Sequence, residues 1–133
     1  MMKVSSEIPE SHIDLLQKRA FASLGTLMAD GGPHVTPVWL MYEAPYVVIN
    51  SAKGRVKDRN LRRDPRVALA IRDPDNPYRY LGLQGRVVQI SEGDGVDVIH
   101  RLSHKYTGQD YNIEPGATRV TYRIEVENAW TMG

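Results

Sequence analysis

The chain contains no cysteine, which excludes disulfides, a thiolate nucleophile and any Cys-ligated metal site. It has no apolar run near the ~20 residues of a membrane span and no signal-type apolar segment at its start. The expectation is therefore a soluble, cytoplasmic protein without a membrane partner. It also lacks an excess of charge: 17 Lys and Arg stand against 16 Asp and Glu, for a net +1. A surface that coats nucleic acid would need a broad basic field, so no nucleic-acid partner is expected. Repeats and low-complexity linkers are absent, and 133 residues read as a single domain, 1–133. A domain this small often completes its site or its stability by oligomerising. Hydrolytic machinery is missing as well. The carboxylates lie mostly in turns and at helix ends, with no pair suited to glycosidase chemistry. His100 and His104 are four apart on an expected helix but have no third ligand, so they read as a solvent-facing pair and no metal is expected.

What the chain does have is one concentrated basic block. Asn50 to Arg66 (NSAKGRVKDRNLRRDPR) holds seven of the 17 Lys and Arg residues, with only Asp58 and Asp64 against them from Lys53 onward. The block follows the apolar segment Tyr46-Val47-Val48-Ile49 through the small residues Ser51, Ala52 and Gly54, which allow close approach to the backbone. A strand that empties through small residues into a short basic helix suits an anionic group, with amides near the helix start and cationic side chains converging on it. Lys53, Arg55 and Lys57 read as ligands of that anion; Arg59, Arg62 and Arg63 read as a solvated helix face. An anion cradle without a protein nucleophile fits a borrowed cofactor that carries the chemistry. Tyr78 and Tyr80 flank Arg79 on one expected strand face. They either wall a flat ring or simply fill core or interface.

Punctuation along the chain sets the elements. Helices are expected at 9–19, with Ile13 and Leu16 buried, at 54–63 and at 94–107. The last carries the stripe Val98, Ile99, Leu102 and Tyr106. Asp64 precedes Pro65 and is pushed from helical geometry, so the basic helix stops near Arg63. Strands are expected from Phe21 to Ala29, with Gly25 marking a bulge or a close approach, and from His34 to Tyr42. The turn Asp30-Gly31-Gly32-Pro33 joins these two as a hairpin. Pro37 marks an edge, a bulge or a place where a ligand replaces a neighbour. Further strands are expected over Tyr46 to Asn50, Val67 to Ile71 (buried on both faces), Tyr78 to Ile90 and Thr118 to Val126. Six or so short strands with ten-residue spacing predict a mainly β, α+β antiparallel sheet or barrel with helices packed at its ends.

With Leu24-Gly25-Thr26-Leu27, Pro33 to Trp39, Lys53 to Pro65, Asp73 to Tyr80, Gly85-Arg86-Val87, His104-Lys105-Tyr106 and Tyr122 to Gly133, the chain resembles a known superfamily. These are the flavin- and deazaflavin-dependent oxidoreductases of the split β-barrel, named after pyridoxamine 5′-phosphate oxidase. The match is strongest to the short members that use coenzyme F420. The resemblance implies an antiparallel split β-barrel with short flanking helices, working as a homodimer. It implies an oxidoreductase passing hydride from reduced F420 to a small organic acceptor. The alternatives on the same fold are an FMN-dependent oxidase or reductase, or a non-enzymatic flavin, deazaflavin or haem carrier. Lys57, eight positions before the proline of Asp64-Pro65-Arg66, matches the phosphate-binding lysine of the family, and Arg55 a second phosphate ligand. Asn50, Ser51, Ala52, Lys53, Val56 and Asn60 match the loop and helix beside them. Thr36, Pro37 and Val38 match the backbone along the ring system, and Tyr78 and Tyr80 match aromatic positions supplied by the partner subunit. The chain departs from the oxidase that names the superfamily in lacking that enzyme's C-terminal extension with its tryptophan and substrate-binding arginine, with Ala129-Trp130-Thr131-Met132-Gly133 in its place. Oxidation of pyridoxamine phosphate is therefore not implied. No side chain is expected to be catalytic in its own right, because the ring donates the hydride.

Overall fold

The computed structural model describes residues 7–133. After a 3-10 helix at Glu10–Leu16 come the strands β1 (Ala22–Leu27), β2 (Pro33–Val38), β3 (Met41–Glu43) and β4 (Tyr46–Ala52). Helix α1 (Val56–Arg63) leads to β5 (Arg66–Asp73) and β6 (Asn76–Ser91), and helix α2 (Gly95–Thr107) to β7 (Arg119–Met132). All pairings are antiparallel, and the seven strands form one sheet in the order β2-β1-β5-β6-β7-β4-β3. The two edge strands, β2 and β3, are consecutive in the chain, separated only by Trp39 and Leu40. The sheet therefore rolls up, and a single core fills it. Leu24, Leu69, Leu83, Ile124 and Ile49, from five strands, share that core with Leu15 and Leu16 of the 3-10 helix. Mean exposure of these side chains is close to nil, and each stabilises the fold by about 1.5–3 kcal/mol relative to exposure.

The expected hairpin forms in the register Ala22↔Val38 to Leu27↔Pro33, and the Asp30 carboxylate accepts the Gly32 N–H at its turn. Pro37 stands on an edge strand, where its missing N–H costs no ladder bond. Five expectations are corrected. His34 to Tyr42 is two strands on opposite sheet edges, because the chain crosses over at Trp39-Leu40. That split is why seven strands form where six or so were expected. The first helix is a 3-10 helix whose tighter winding buries His12, Leu15 and Leu16 and leaves Ile13 half-buried. β5 is not buried on both faces: Val67, Leu69 and Ile71 point inward, while Ala68 and Ala70 are exposed. Gly25 sits in regular register between β2 and β5 without a bulge, and a methyl there would make only ordinary contact with Ala68. The last strand runs on to Met132, because shifts in register at Gln84/Gly85 and Val87/Gln89 let the long β6 pair with it throughout.

The two helices that frame the site are held differently. α2 buries Val98, Ile99 and Leu102 at helical spacing against Val48. Gly95 at its start packs so closely on β7 that a Cβ there would collide with the Arg119 carbonyl oxygen. α1 buries one apolar residue, Leu61, and two polar ones, Asp58 and Asn60. It begins after Gly54, whose φ of 91° favours glycine, and ends at Asp64 in extended geometry before Pro65.

Candidate functional site

β4 delivers the chain into the basic block at one end of the barrel, and α1 turns it back over the sheet. The pocket here, about 240 Å³, is lined by Pro37 and Val38 of β2, Trp39, Phe21, Asn50 of β4, Arg55 and Lys57. Ile99 and Leu102 of α2, Tyr111 and Arg119 complete it. Its lining combines two kinds of chemistry. One is aromatic: Trp39 stacks on Tyr106 at 5.3 Å and 8°, and meets Tyr111 edge-on at 6.1 Å. The other is cationic, with Arg55, Lys57 and Arg119 facing it together.

The basic residues are not equivalent. Lys57 is half-buried, and among the described residues nothing pairs with its ammonium. Burial, then the charges of Arg55 and Arg119, lower its pKa from the ordinary 10.5. Arg55 reaches Glu114 at 3.6 Å, an exposed and weak pair. Lys53 is exposed and pairs with Glu92 at 3.1 Å. Arg62 and Arg63 are exposed, as a solvated face requires, yet both are tied down. Arg62 Nε donates to both oxygens of buried Asp58 at 3.0 and 3.1 Å, and Arg63 Nη2 donates to the Leu27 carbonyl at 2.9 Å and to Asn60 Oδ1 at 2.8 Å. They tie α1 to its surroundings. Arg59, exposed, donates to the Gly54 carbonyl at 3.1 Å.

Asp58 organises the loop. Its carboxylate accepts from the Gly54 N–H at 2.9 Å, the Tyr122 hydroxyl and Arg62. Burial raises its pKa, but these donors outweigh burial and hold the carboxyl below the usual range. Burial and then Asp58 itself push the Tyr122 hydroxyl far up, so it stays a donor. The backbone amides of Lys53, Gly54 and Arg55 are engaged internally, with Thr118 O, Asp58 and Ala52 O.

Of the residues singled out in the sequence, Pro37, Val38, Asn50, Arg55 and Lys57 meet at the pocket. Thr36 and Ser51 are not among its lining residues, and each has a hydroxyl oxygen that is buried without a partner. Ala52 is buried and Val56 half-buried at the start of α1. Asn60 faces inward, donating to Thr26 Oγ1 at 3.0 Å, where it anchors the helix. Tyr78 and Tyr80 lie at the start of β6, away from this pocket, and Tyr78 is 82% exposed. His104 pairs with Asp110, and His100 Nδ1 accepts the Tyr111 N–H at 3.0 Å. Sequence reasoning missed Arg119 and Tyr111. Their signal was faint: the Pro115-Gly116 turn brings the chain back beside β4, but only the register Ala52↔Arg119 shows where it lands.

The arrangement suits a flat, anionic molecule: aromatic side chains for a ring, and three cations, one of them with a buried unpaired donor, for a phosphate. The residues thus fit a phosphorylated isoalloxazine or deazaflavin. The sequence profile of the pyridoxamine 5′-phosphate oxidase family matches residues 8–133. The F420H(2)-dependent biliverdin reductase of Mycobacterium tuberculosis is 23% identical over 127 residues, covering 96% of this chain and 90% of that protein. The solved structure of an F420 reductase superposes with a TM-score of 0.83 at 29% identity, covering 92% of this chain and 98% of that one. A conserved hypothetical protein of Mycobacterium tuberculosis gives 0.75 at 26% identity, covering 98% and 89%.

Proposed function

Since the chain belongs to the pyridoxamine 5′-phosphate oxidase family, we propose that it is a cytoplasmic, homodimeric oxidoreductase that uses reduced coenzyme F420. The observation that carries this reading is the convergence of Arg55, Lys57 and Arg119 beside an aromatic wall in one pocket. The similarity to F420 reductases supports the choice of cofactor. When bound, the reduced deazaflavin supplies the hydride for a small organic acceptor. Arg55 and Lys57 bind its phosphate, Pro37 and Val38 lie along the ring, and Trp39 and Tyr111 keep water from one side. A pocket of about 240 Å³ is small for such a ligand. That supports a second wall from another copy of the chain, to which the exposed Tyr78 and neighbouring Tyr80 belong.

A cofactor titration with F420, FMN, FAD and haem tests the reading. Tight binding of F420 by a colourless apoprotein is expected, with turnover once an acceptor is supplied. A yellow protein that retains flavin would transfer the same geometry to FMN, and haem binding without turnover would make it a carrier. The Arg55→Ala, Lys57→Ala double variant is expected to lose nearly all affinity while keeping its fold. Each charge-assisted contact is worth about 1.5–3 kcal/mol.

A further inference from the structure

Arg119 opens β7, opposite Ala52, the residue at which β4 gives way to the basic loop. It is 4% exposed, yet it lines the pocket. Its Nε donates to Asn50 Oδ1 at 3.0 Å, and its guanidinium carbon lies 5.0 Å from the centre of the Tyr111 ring. Asn50 is itself fixed, donating to the Gly95 carbonyl at 2.9 Å and to Thr121 Oγ1 at 3.3 Å. The guanidinium is thus clamped on one edge and one face, while its Nη1 is fully buried with no hydrogen-bond partner. Among the described residues no carboxylate forms an ion pair with Arg119; Glu114, whose charge it feels, pairs with Arg55. A buried donor of a charged group left unmade is costly, and a third cation beside Arg55 and Lys57 adds repulsion. A residue serving only to brace β7 against β4 would need neither the charge nor the free Nη1.

Resting on the cofactor reading above, we propose that Arg119 is a further anion ligand of this site. Its Nη1 donates to the cofactor's phosphate, while Asn50 and Tyr111 hold the guanidinium in position. The phosphate then sits between α1, which supplies Lys57 with Arg55 just before it, and the first residue of β7. Both sides of the pocket close on the same anion.

The test compares dissociation constants for F420 and for its phosphate-free deazaflavin fragment, in the unaltered protein, Arg119→Gln and Arg119→Lys. Thermal stabilisation by inorganic phosphate is measured alongside. Arg119→Gln is expected to weaken F420 binding roughly 10- to 100-fold, leave the fragment within about twofold, and remove the stabilisation by phosphate. Arg119→Lys should recover part of the loss. Retained fragment binding reports an intact fold. Equal affinity of Arg119→Gln and the unaltered protein for F420 would overturn the proposal, as would an equal loss for F420 and fragment. An unaltered protein that binds neither F420 nor FMN, yet loses its stabilisation by phosphate on Arg119→Gln, would leave Arg119 as an anion ligand and remove the cofactor reading instead.

Discussion

Lys57 and Asp58 are neighbours in sequence with opposite fates. Lys57 faces the pocket unpaired, and its lowered pKa means that it loses its proton at a lower pH than an ordinary lysine. Only the ammonium attracts a phosphate, so cofactor affinity is expected to fall as pH rises, with the decline beginning below 10.5. Lys57→Arg, which stays charged, should push that decline to higher pH in a titration of the dissociation constant. Asp58 faces inward and gathers Gly54, Tyr122 and Arg62. Its folded-state pKa lies below the unfolded one, so its contribution to stability is present above the unfolded value of ~3.9 and is lost as pH falls through the folded value. Urea unfolding should show Asp58→Ala less stable by about 3 kcal/mol at neutral pH, because buried donors and a cation are left unpaired. Below pH 4 the gap to the unaltered protein should narrow.

At the scale of elements, α2 holds the crossing that joins the sheet edges. The backbone of Leu40 has no strand beside it. Tyr106 accepts its N–H at 3.2 Å, and Lys105 Nζ donates to its carbonyl at 2.6 Å and to the Leu16 carbonyl at 2.8 Å. Tyr106 also donates to the Ala20 carbonyl at 2.6 Å. Burial depresses the Lys105 pKa to about 8. Between pH 8 and 10.5 the unfolded chain therefore holds a proton that the folded one has released, and stability rises with pH across that window. The difference in unfolding free energy between the unaltered protein and Lys105→Met should grow over this range and stay flat below it. The helix stripe was legible in the sequence because Val98, Ile99 and Leu102 repeat at helical spacing. The split of His34 to Tyr42 was not, because a two-residue crossing leaves the same apolar, β-branched composition as a continuous strand. Likewise Arg55 and Lys57 were legible as a local cluster, whereas Arg119 joins them only through the pairing of distant strands. Arg62 and Arg63 are solvated as read, but their ties to Glu92 and Leu27 were not legible, because those partners lie outside any local pattern.

For the whole molecule, the open pocket and its neighbouring exposed face set the expected assembly. Val35 on β2 is 63% exposed and Ala68 and Ala70 of β5 lie bare, beside a shallow recess lined by Gly25, Thr26, Pro33 and Gln84. Apolar surface left in this way on a small domain favours association. Light scattering at micromolar concentration should give twice the mass of the 15.0 kDa chain; a stable monomer would contradict the dimer.

The strand order also dictates a sequence of events in time. β7 is the seventh strand along the chain but lies inside the sheet, between β6 and β4. Until it arrives, the β3–β4 hairpin has no partner, and Val47 must wait for Ile124. Pairings so distant in sequence make folding slow for a domain of this size. They also leave the β4 edge open to wrong partners in the meantime. In stopped-flow refolding, weakening the β6–β7 ladder with Ile124→Val should slow the approach to the native state if that ladder forms in the folding nucleus. Under the same condition, Val35→Ala on the outer hairpin should leave the rate nearly unchanged.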